Sequence, residues 1–377
     1  MKRTRTHKAK VYVGLSGGVD SSVSLALLQD QGYDVTGVFI KTWQPDFIEC
    51  TWRDERRDAI RVCAALDVPF KTLDLEKEYK EGVADYMIEE YQKGRTPNPD
   101  VMCNREVKFG GFLKWALANG ADYVATGHYA RTLSIQRKVK KPKSKIINKE
   151  LPPIEYRLKI GVDATKDQAY FLWTLTQEQL AHIIFPIGHL RKTEVRKLAE
   201  KYRLPTADKK DSQGVCFLGP LDMKDFLGHY LEHKEGDVLD EKGKGIGTHT
   251  GALFHTLGER HGFTITKKTD TETRYFIVAK DIKKNTITVS HTRPEKTAFA
   301  KKEFLIERTN WISEYPSFKE QYSAQIRYHG EYIPCRIKKI VSSTALVTFK
   351  TPQMISPGQS VVLYRGDVCI GGGIVAS

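Results

Sequence analysis

The amino-acid sequence predicts an α/β protein: an N-terminal doubly wound parallel sheet, then a small central β-rich module and a C-terminal β-barrel. Three observations carry that expectation. Between Lys10 and about Leu204, strand-like and helix-like apolar patterns alternate. A glycine-rich turn joins the first strand pattern to the first helix pattern, where a phosphate-gripping loop belongs. Beyond Cys216, short alternating strands separated by turn residues take over. With 377 residues the chain exceeds what one core usually organises, and the expected division is 1–218 for the parallel-sheet unit, 219–290 for the central unit and 291–377 for the barrel.

Taken in order, Val11 to Leu15 reads as a buried strand, and Val23, Leu25, Ala26, Leu27 and Leu28 supply the apolar face of a helix over Ser22 to Gln29. Further strands are expected at Val35 to Ile40, Phe70 to Leu73 and Tyr123 to Thr126. Helices are expected at Arg53 to Leu66, Lys77 to Gln92, Lys108 to Asn119, Gln177 to Ile184 and Thr193 to Tyr202. Such alternation gives a parallel sheet covered on both faces, with ligands at the carboxyl ends of the strands. The first glycine loop, Ile40 and the turn Thr126-Gly127-His128-Tyr129 fall at those ends. Between Gln136 and Pro153 seven basic residues crowd around prolines with little apolar content, which reads as a solvated surface loop or hairpin tip. A helix over Asp222 to His233 precedes the glycine-dense run Gly243 to Gly251, read as β-turns in a small sheet. Tyr275 to Ala279, Thr286 to Ser290, Ala345 to Phe349 and Val361 to Leu363 then alternate like antiparallel strands.

The most informative segment is Leu15-Ser16-Gly17-Gly18-Val19-Asp20-Ser21-Ser22. Gly17 and Gly18 permit close backbone approach, and the helix start behind them aims free N–H groups and a positive dipole end at an anion. No Gly-Lys-Ser/Thr follows, which disfavours γ-phosphate transfer. A formal net charge of +14 favours a polyanionic partner such as nucleic acid. No apolar run approaches the length of a membrane span, and the basic start runs into the first strand without an apolar signal core, as expected of a cytoplasmic enzyme.

Six cysteines show no Cys-x-x-Cys pair, so zinc and iron–sulfur sites are not expected and no metal ligand set is assigned. Cys63 and Cys369 read as packing residues. Cys103 and Cys216 differ, since each lies in a polar, turn-like segment. Cys103 follows Asn98-Pro99-Asp100 and precedes a helix pattern, and Arg105 and Lys108 nearby in sequence give its thiol reason to ionise early. Their separation in sequence leaves the distance between the two thiols open.

The glycine segment resembles the pyrophosphate loop of the PP-loop ATP pyrophosphatases. With Asn98 to Asn104, Thr126 to Ala130, Lys166 to Leu172, Asp211 to Phe217, Thr256 to Arg260, Ser356 to Gln359 and Gly371 to Gly373, the chain resembles the bacterial tRNA-specific 2-thiouridylases, the MnmA or TrmU family, over almost its whole length. Glu259 stands where that family usually has glutamine and Ile40 where it has methionine, and the lysine-rich insert is unusually long. The resemblance implies ATP-dependent replacement of the C2 oxygen of the wobble uridine of tRNA by sulfur. It implies ATP held by Gly14, Leu15, Ser16, Gly17, Gly18, Val19, Asp20, Ser21, Ile40 and Gly127, with Asp20 positioning Mg²⁺ or moving a proton. It further implies a persulfide on Cys216, supplied by a sulfur-donor protein, and Cys103 as its partner in a transient disulfide. Asn98, Pro99 and Asp100 are implied to meet the target base, and Lys166, Asp167, Gln168, Arg327 and Tyr328 to meet tRNA. Another PP-loop synthetase would share the loop without needing the two cysteines. An RNA-binding protein with a nucleotide-sensing loop would bind ATP without releasing AMP.

Overall fold

The computed structural model describes residues 8–48, 52–136, 154–211, 214, 216, 223–266, 274–313 and 315–376. Its strands run β1 (Lys10–Leu15), β2 (Asp34–Lys41), β3 (Phe70–Asp74), β4 (Tyr123–Ala125), β5 (Ala130–Gln136), β6 (Ile154–Ile160) and β7 (Ile183–Ile184) through the N-terminal unit. The helices are α1 (Val19–Asp30), α2 (Trp52–Leu66), α3 over 76–92, α4 over 99–118 and α5 (Lys192–Lys201). Both α3 and α4 contain a π-helical segment, Lys80–Asp85 and Cys103–Phe112 respectively. A five-stranded sheet in the order β3–β2–β1–β4–β7 is parallel throughout.

The two-residue period of β1 divides its side chains between two cores. Val11, Val13 and Leu15 pack with Val23, Leu25 and Leu28 of α1 and Val195 and Ala199 of α5. Tyr12 faces the other way, into the core that holds Val107, Phe109, Phe112 and Ala116 of α4. Burial on both faces is why the strand reads as an apolar run rather than as an alternation, and each large side chain contributes roughly 1.5–3 kcal/mol.

The central unit is a five-stranded sheet of β8 (Gly236–Leu239), β9 (Gly245–His249), β10 (Phe263–Ile265), β11 (Phe276–Asp281) and β12 (Thr286–Ser290), in the order β10–β9–β8–β12–β11. The barrel comprises β13 (Lys301–Trp311), β14 (Tyr322–Gln325), β15 (Ile333–Val341), β16 (Thr344–Gln353), β17 (Ser360–Arg365) and β18 (Val368–Val375), and pairing of β13 with β18 closes it.

Several expectations are corrected. The helix expected from Lys108 starts at Pro99, because the Asn98 side chain accepts from the Val101 N–H and proline takes the first helical position. The helix expected over Gln177 to Ile184 stops at Leu180, and Ile183–Ile184 forms the fifth strand of the parallel sheet. Part of the glycine-dense run, Gly245–His249, is a strand rather than turns alone. The β5–β6 hairpin, although it belongs in sequence to the N-terminal unit, adds to the barrel through β18. The lysine-rich insert between those strands lies outside the described residues except for Gln136.

All three units meet at Thr96, just ahead of α4. Its N–H donates to Pro357 O at 2.7 Å, its carbonyl accepts from Gln359 at 2.8 Å, and its hydroxyl lies 3.2 Å from that of Thr256. Beside it, Arg95 pairs with Glu90 at 2.7 Å and with Glu307 of the barrel at 2.6 Å. The start of α4 is thereby fixed from three directions.

Candidate active site

The phosphate loop turns from β1 into α1 at Gly17, whose φ of +71° is left-handed; a Cβ there would lie 2.5 Å from the Glu55 carbonyl oxygen. Gly18 is the N-cap of α1 and carries no capping side chain, so the helix start offers its N–H groups to a ligand. Ser21 holds the turn from within: its Oγ accepts from the Ser16 N–H and lies 3.3 Å from Ser16 Oγ. Gly127 closes over this start, where a Cβ would meet Ser21 N at 2.7 Å. Gly14, Leu15 and Val19 complete the strand-to-helix passage, while Ile40 is packed in the core at the carboxyl end of β2.

Asp20 does not stand alone. Lys192, the first residue of α5, reaches its two oxygens at 2.7 and 2.9 Å, and the Tyr129 hydroxyl donates to Oδ1 at 2.8 Å. The same ammonium contacts Asp211 at 2.8 Å, and Asp211 also pairs with Lys166 at 2.8 Å and Arg196 at 2.6 Å. Burial pushes the Asp211 carboxyl up, but hydrogen bonds and charge from Lys166 and Lys192 win and hold it well below the usual carboxylate range. Lys192 thus ties the phosphate loop to the segment that begins at Asp211 and leads to Cys216.

At the other end of that segment, the Cys103 and Cys216 sulfurs lie 3.5 Å apart, both as free thiols. The Cys216 N–H donates to Asp100 at 3.2 Å, and its carbonyl accepts from the Tyr79 hydroxyl of α3 at 2.8 Å. Cys103 is fully buried, and burial first, then the neighbouring Cys216, pushes its thiol well up. Early ionisation of Cys103, expected from its neighbours, is therefore corrected. It lies beyond the first helical turn, where the dipole effect has faded, and Arg105 is spent on Glu106 at 2.6 Å. Cys216 moves the opposite way, downward: the Cys103 thiol donates to it, burial opposes, and the nearby Lys108 charge adds to the lowering.

The remaining sequence-predicted residues divide by environment. Asn98 caps α4, Pro99 is its first residue, and Asp100 holds the Cys216 backbone. Asp167 is buried and accepts from the N–H groups of Gly161 and Ala169 at 2.8 and 3.2 Å. Gln168 exchanges hydrogen bonds with the Tyr129 backbone, at 3.1 Å through its side chain and 2.9 Å through its own N–H. Lys166 is engaged by Asp211. Arg327 is exposed on the barrel, and next to it the Tyr328 ring tilts over Phe171 with centroids 4.5 Å apart. Burial, then the charges of Asp167 and Asp100, push the Tyr328 hydroxyl up to about 12; Tyr328, Phe171 and Cys216 all pack against the core cluster that holds Cys103. Glu259, in the central unit, accepts from the Thr256 N–H at 3.0 Å and contacts Lys224, His255 and His261.

Sequence reading did not single out Lys192 or Tyr79 as site residues, because each reaches the site only through the tertiary fold; Tyr129 had a signal, the turn at the carboxyl end of β4, without a role assigned to it. Lys108 had a signal, its closeness to Cys103, and its charge favours the thiolate of Cys103 and of Cys216 alike. Among the described residues no group of three or more His, Cys, Asp or Glu side chains is arranged to hold a metal ion. A surface cavity of about 650 Å³ lined by Phe109, Leu113, Tyr156, Gln177 and His182 contains none of the residues assigned from sequence.

Residues 9–220 match the pattern described as the tRNA methyl transferase HUP domain, 224–291 the tRNA methyl transferase PRC-barrel domain, and 301–375 the aminomethyltransferase beta-barrel domain. A tRNA-specific 2-thiouridylase MnmA of Nitrosomonas europaea is 42% identical over 376 residues, covering 98% of each chain. Another, from Geobacillus thermodenitrificans, is 41% identical over 374 residues, 98% of this chain and 95% of that one. Among solved structures, a 4-thiouridine synthetase–RNA complex with bound ATP gives a TM-score of 0.34 at 20% identity, over 59% of this chain and 50% of that one, a likeness too slight to carry an argument. By its three matched domains and its relatives, the chain belongs to the family of tRNA-specific 2-thiouridylases.

Proposed function

We propose that this chain is a tRNA-uridine 2-sulfurtransferase that activates the C2 oxygen of the wobble uridine with ATP and replaces it by sulfur. The carrying observation is the pair of thiols 3.5 Å apart, from segments 113 residues apart, joined through Asp211 and Lys192 to a loop built for phosphate. An adenylating enzyme alone has no use for that pair.

In this reading the C2 oxygen attacks the α-phosphorus of ATP, the α–β bridging bond breaks, and pyrophosphate leaves into the N–H groups at the start of α1. Gly127 closes over that loop, and Lys192, released from Asp20 or Asp211, offers a positive charge to the phosphates. Mg²⁺ would arrive with ATP; Asp20 is the one carboxylate of the loop, so the ion would rest mainly on phosphate oxygens, supplying charge neutralisation.

Cys216, as a thiolate, takes a sulfur from a persulfide donor protein. The outer sulfur of the resulting persulfide attacks C2 and AMP leaves. Cys103, once deprotonated, attacks the Cys216 Sγ; the Cys216 sulfur–sulfur bond breaks, the transferred sulfur stays on the base, and a Cys103–Cys216 disulfide forms for a two-electron reductant to reopen. Closing from 3.5 Å to a bond of about 2.0 Å needs only a small shift. Burial supports the division of roles: Cys103 is fully buried, whereas Cys216 is partly exposed and open to a donor.

Asn98, Pro99 and Asp100, with Tyr328 and Phe171 beside them, are the surface on which an extruded base is read. The exposed Arg327 and the overall positive charge suit the tRNA backbone, and Lys166, Asp167 and Gln168 act from beneath by shaping the loops between the two clusters. The catalytic unit is 1–218, with 219–290 and 291–377 as the central and barrel units, working in the cytoplasm; among the described residues no helix is long and apolar enough to cross a membrane. Incubation of unmodified tRNA with protein, ATP and a persulfide donor, followed by nucleoside mass spectrometry, should yield 2-thiouridine with one AMP per base. ATP and tRNA binding without either product would defeat the proposal.

A further inference from the structure

The segment that carries Cys216 leaves α5 through a turn in which the Ala207 N–H donates to Leu204 O at 3.0 Å and the Lys209 N–H to Thr206 O at 3.1 Å. Among the described residues that second bond is the last backbone-to-backbone hydrogen bond before Cys216. From there one side chain grips the chain. Arg196 of α5 donates through Nη1 to the carbonyl oxygens of Ala207 at 2.7 Å and Lys209 at 2.6 Å, and through Nη2 to Asp211 Oδ1 at 2.6 Å. Both hydrogens of Nη1 are thereby spent, and all three acceptors lie on one stretch of backbone. At the far end, Asp100 holds the Cys216 N–H and Tyr79 its carbonyl oxygen. The segment is a span fixed at both ends.

The other cations at this base are lysines. Lys192 and Lys166 each reach Asp211 at 2.8 Å, and Lys209 itself reaches Asp58 of α2 at 2.7 Å. An ammonium on a flexible stem supplies charge with little direction, whereas the planar guanidinium fixes the angle of everything in its fork. Two of the lysines also have other calls on them. Lys192 touches Asp20 at the phosphate loop, and Lys166 is read as a contact for tRNA. The three acceptors of Arg196 all lie between Ala207 and Asp211. Lys192 and Arg196 stand four residues apart on α5 and share one face of it. That face turns one cation toward the phosphate loop and commits the other to the cysteine segment.

We propose that Arg196 is a positioning residue for sulfur transfer: it fixes the base of the Cys216 segment, keeping Cys216 within reach of Cys103 while Lys192 and Lys166 turn to phosphates. The inference rests on reading the two thiols as the sulfur-transfer pair. With the grip in place, the free span runs only from Asp211 to Cys216. Without it, the nearest buried anchor is Thr206, and the span roughly doubles. Each doubling of a free span makes its closure about three-fold less favourable.

The test is the reduction potential of the Cys103–Cys216 pair in the full-length protein, titrated against glutathione and its disulfide, with the linked peptides measured by mass spectrometry. In that exchange the two protein thiols become one disulfide, and one glutathione disulfide becomes two thiols. Wild type, Arg196→Ala and Arg196→Lys are compared with and without Mg²⁺ and ATP. No tRNA or persulfide donor is present, so the outcome is separate from whether tRNA is thiolated. In Arg196→Ala the protein disulfide should be about three-fold weaker, a rise of about 14 mV for a two-electron couple, and more so with ATP drawing Lys192 away. Arg196→Lys keeps the charge without the fork; it should shift the potential the same way, and it carries the test should the alanine variant not fold. A residue that only stabilised the fold would lower the melting temperature and leave the potential of the folded protein where it was. An unchanged potential in the folded variants with ATP present would overturn this inference alone. A wild type that forms no Cys103–Cys216 disulfide would overturn the two-thiol reading and this inference with it.

Discussion

Consecutive residues from Leu15 to Ser22 build the phosphate loop, whereas the cysteine pair joins positions 113 residues apart and depends on Asp100, Tyr79 and Lys108 to hold and charge it. The first site works through backbone N–H groups, so what it needs from the sequence is the absence of side chains at Gly17 and Gly127. The second works through the protonation of two sulfurs, so what it needs is the right neighbours. A backbone site is carried by a short motif; a charge-tuned site is carried by the fold. Lys192 connects the two, since one ammonium touches both Asp20 of the loop and Asp211 at the head of the cysteine segment.

The sharpest way to break the comparison is at Asp20, the one carboxylate of the loop. Asp20→Ala should abolish conversion of ATP to AMP and pyrophosphate. It should leave the fold intact, because Lys192 retains Asp211 and is not stranded as a buried unpaired charge. A pyrophosphate-release assay and near-UV circular dichroism check both halves; release at the wild-type rate would remove Asp20 from the chemistry. A smaller effect is expected at Gly17. Alanine there costs about 1–2 kcal/mol for the left-handed backbone, before its contact with the Glu55 carbonyl, and should weaken ATP binding about ten-fold or more by calorimetry. Its Cys103–Cys216 reduction potential should not move, since the two sites are tuned by different means.

This contrast also explains what could be read from sequence. The strand–glycine–helix passage was legible because β1 is buried on both faces and every part of the loop is local. The segments around Cys103 and Cys216 were legible as unusual, yet their contact was not, because nothing in either segment encodes the distance to the other. The ionisation of Cys103 was misjudged for the same reason: closeness in sequence to Lys108 and Arg105 says nothing of how deeply the thiol is buried or of what each cation meets. The start of α4 at Pro99 was foreshadowed by Asn98 and Pro99 themselves, an N-cap followed by proline, a signal present but unused. Docking of the β5–β6 hairpin onto the barrel had no local signal at all, since register between Leu158 and Cys369 is a tertiary property.

The central claim is that the two neighbouring thiols have unequal tasks, and transfer of labelled sulfur tests it most directly. Wild type, Cys216→Ser and Cys103→Ser are incubated with a persulfide donor carrying labelled sulfur, then with ATP and tRNA, and label is followed in protein and in nucleoside. Cys216→Ser should take up no label. Cys103→Ser should load sulfur on Cys216 yet make little or no labelled 2-thiouridine, and both variants should still bind ATP. Normal formation of 2-thiouridine by either serine variant would contradict the two-thiol account.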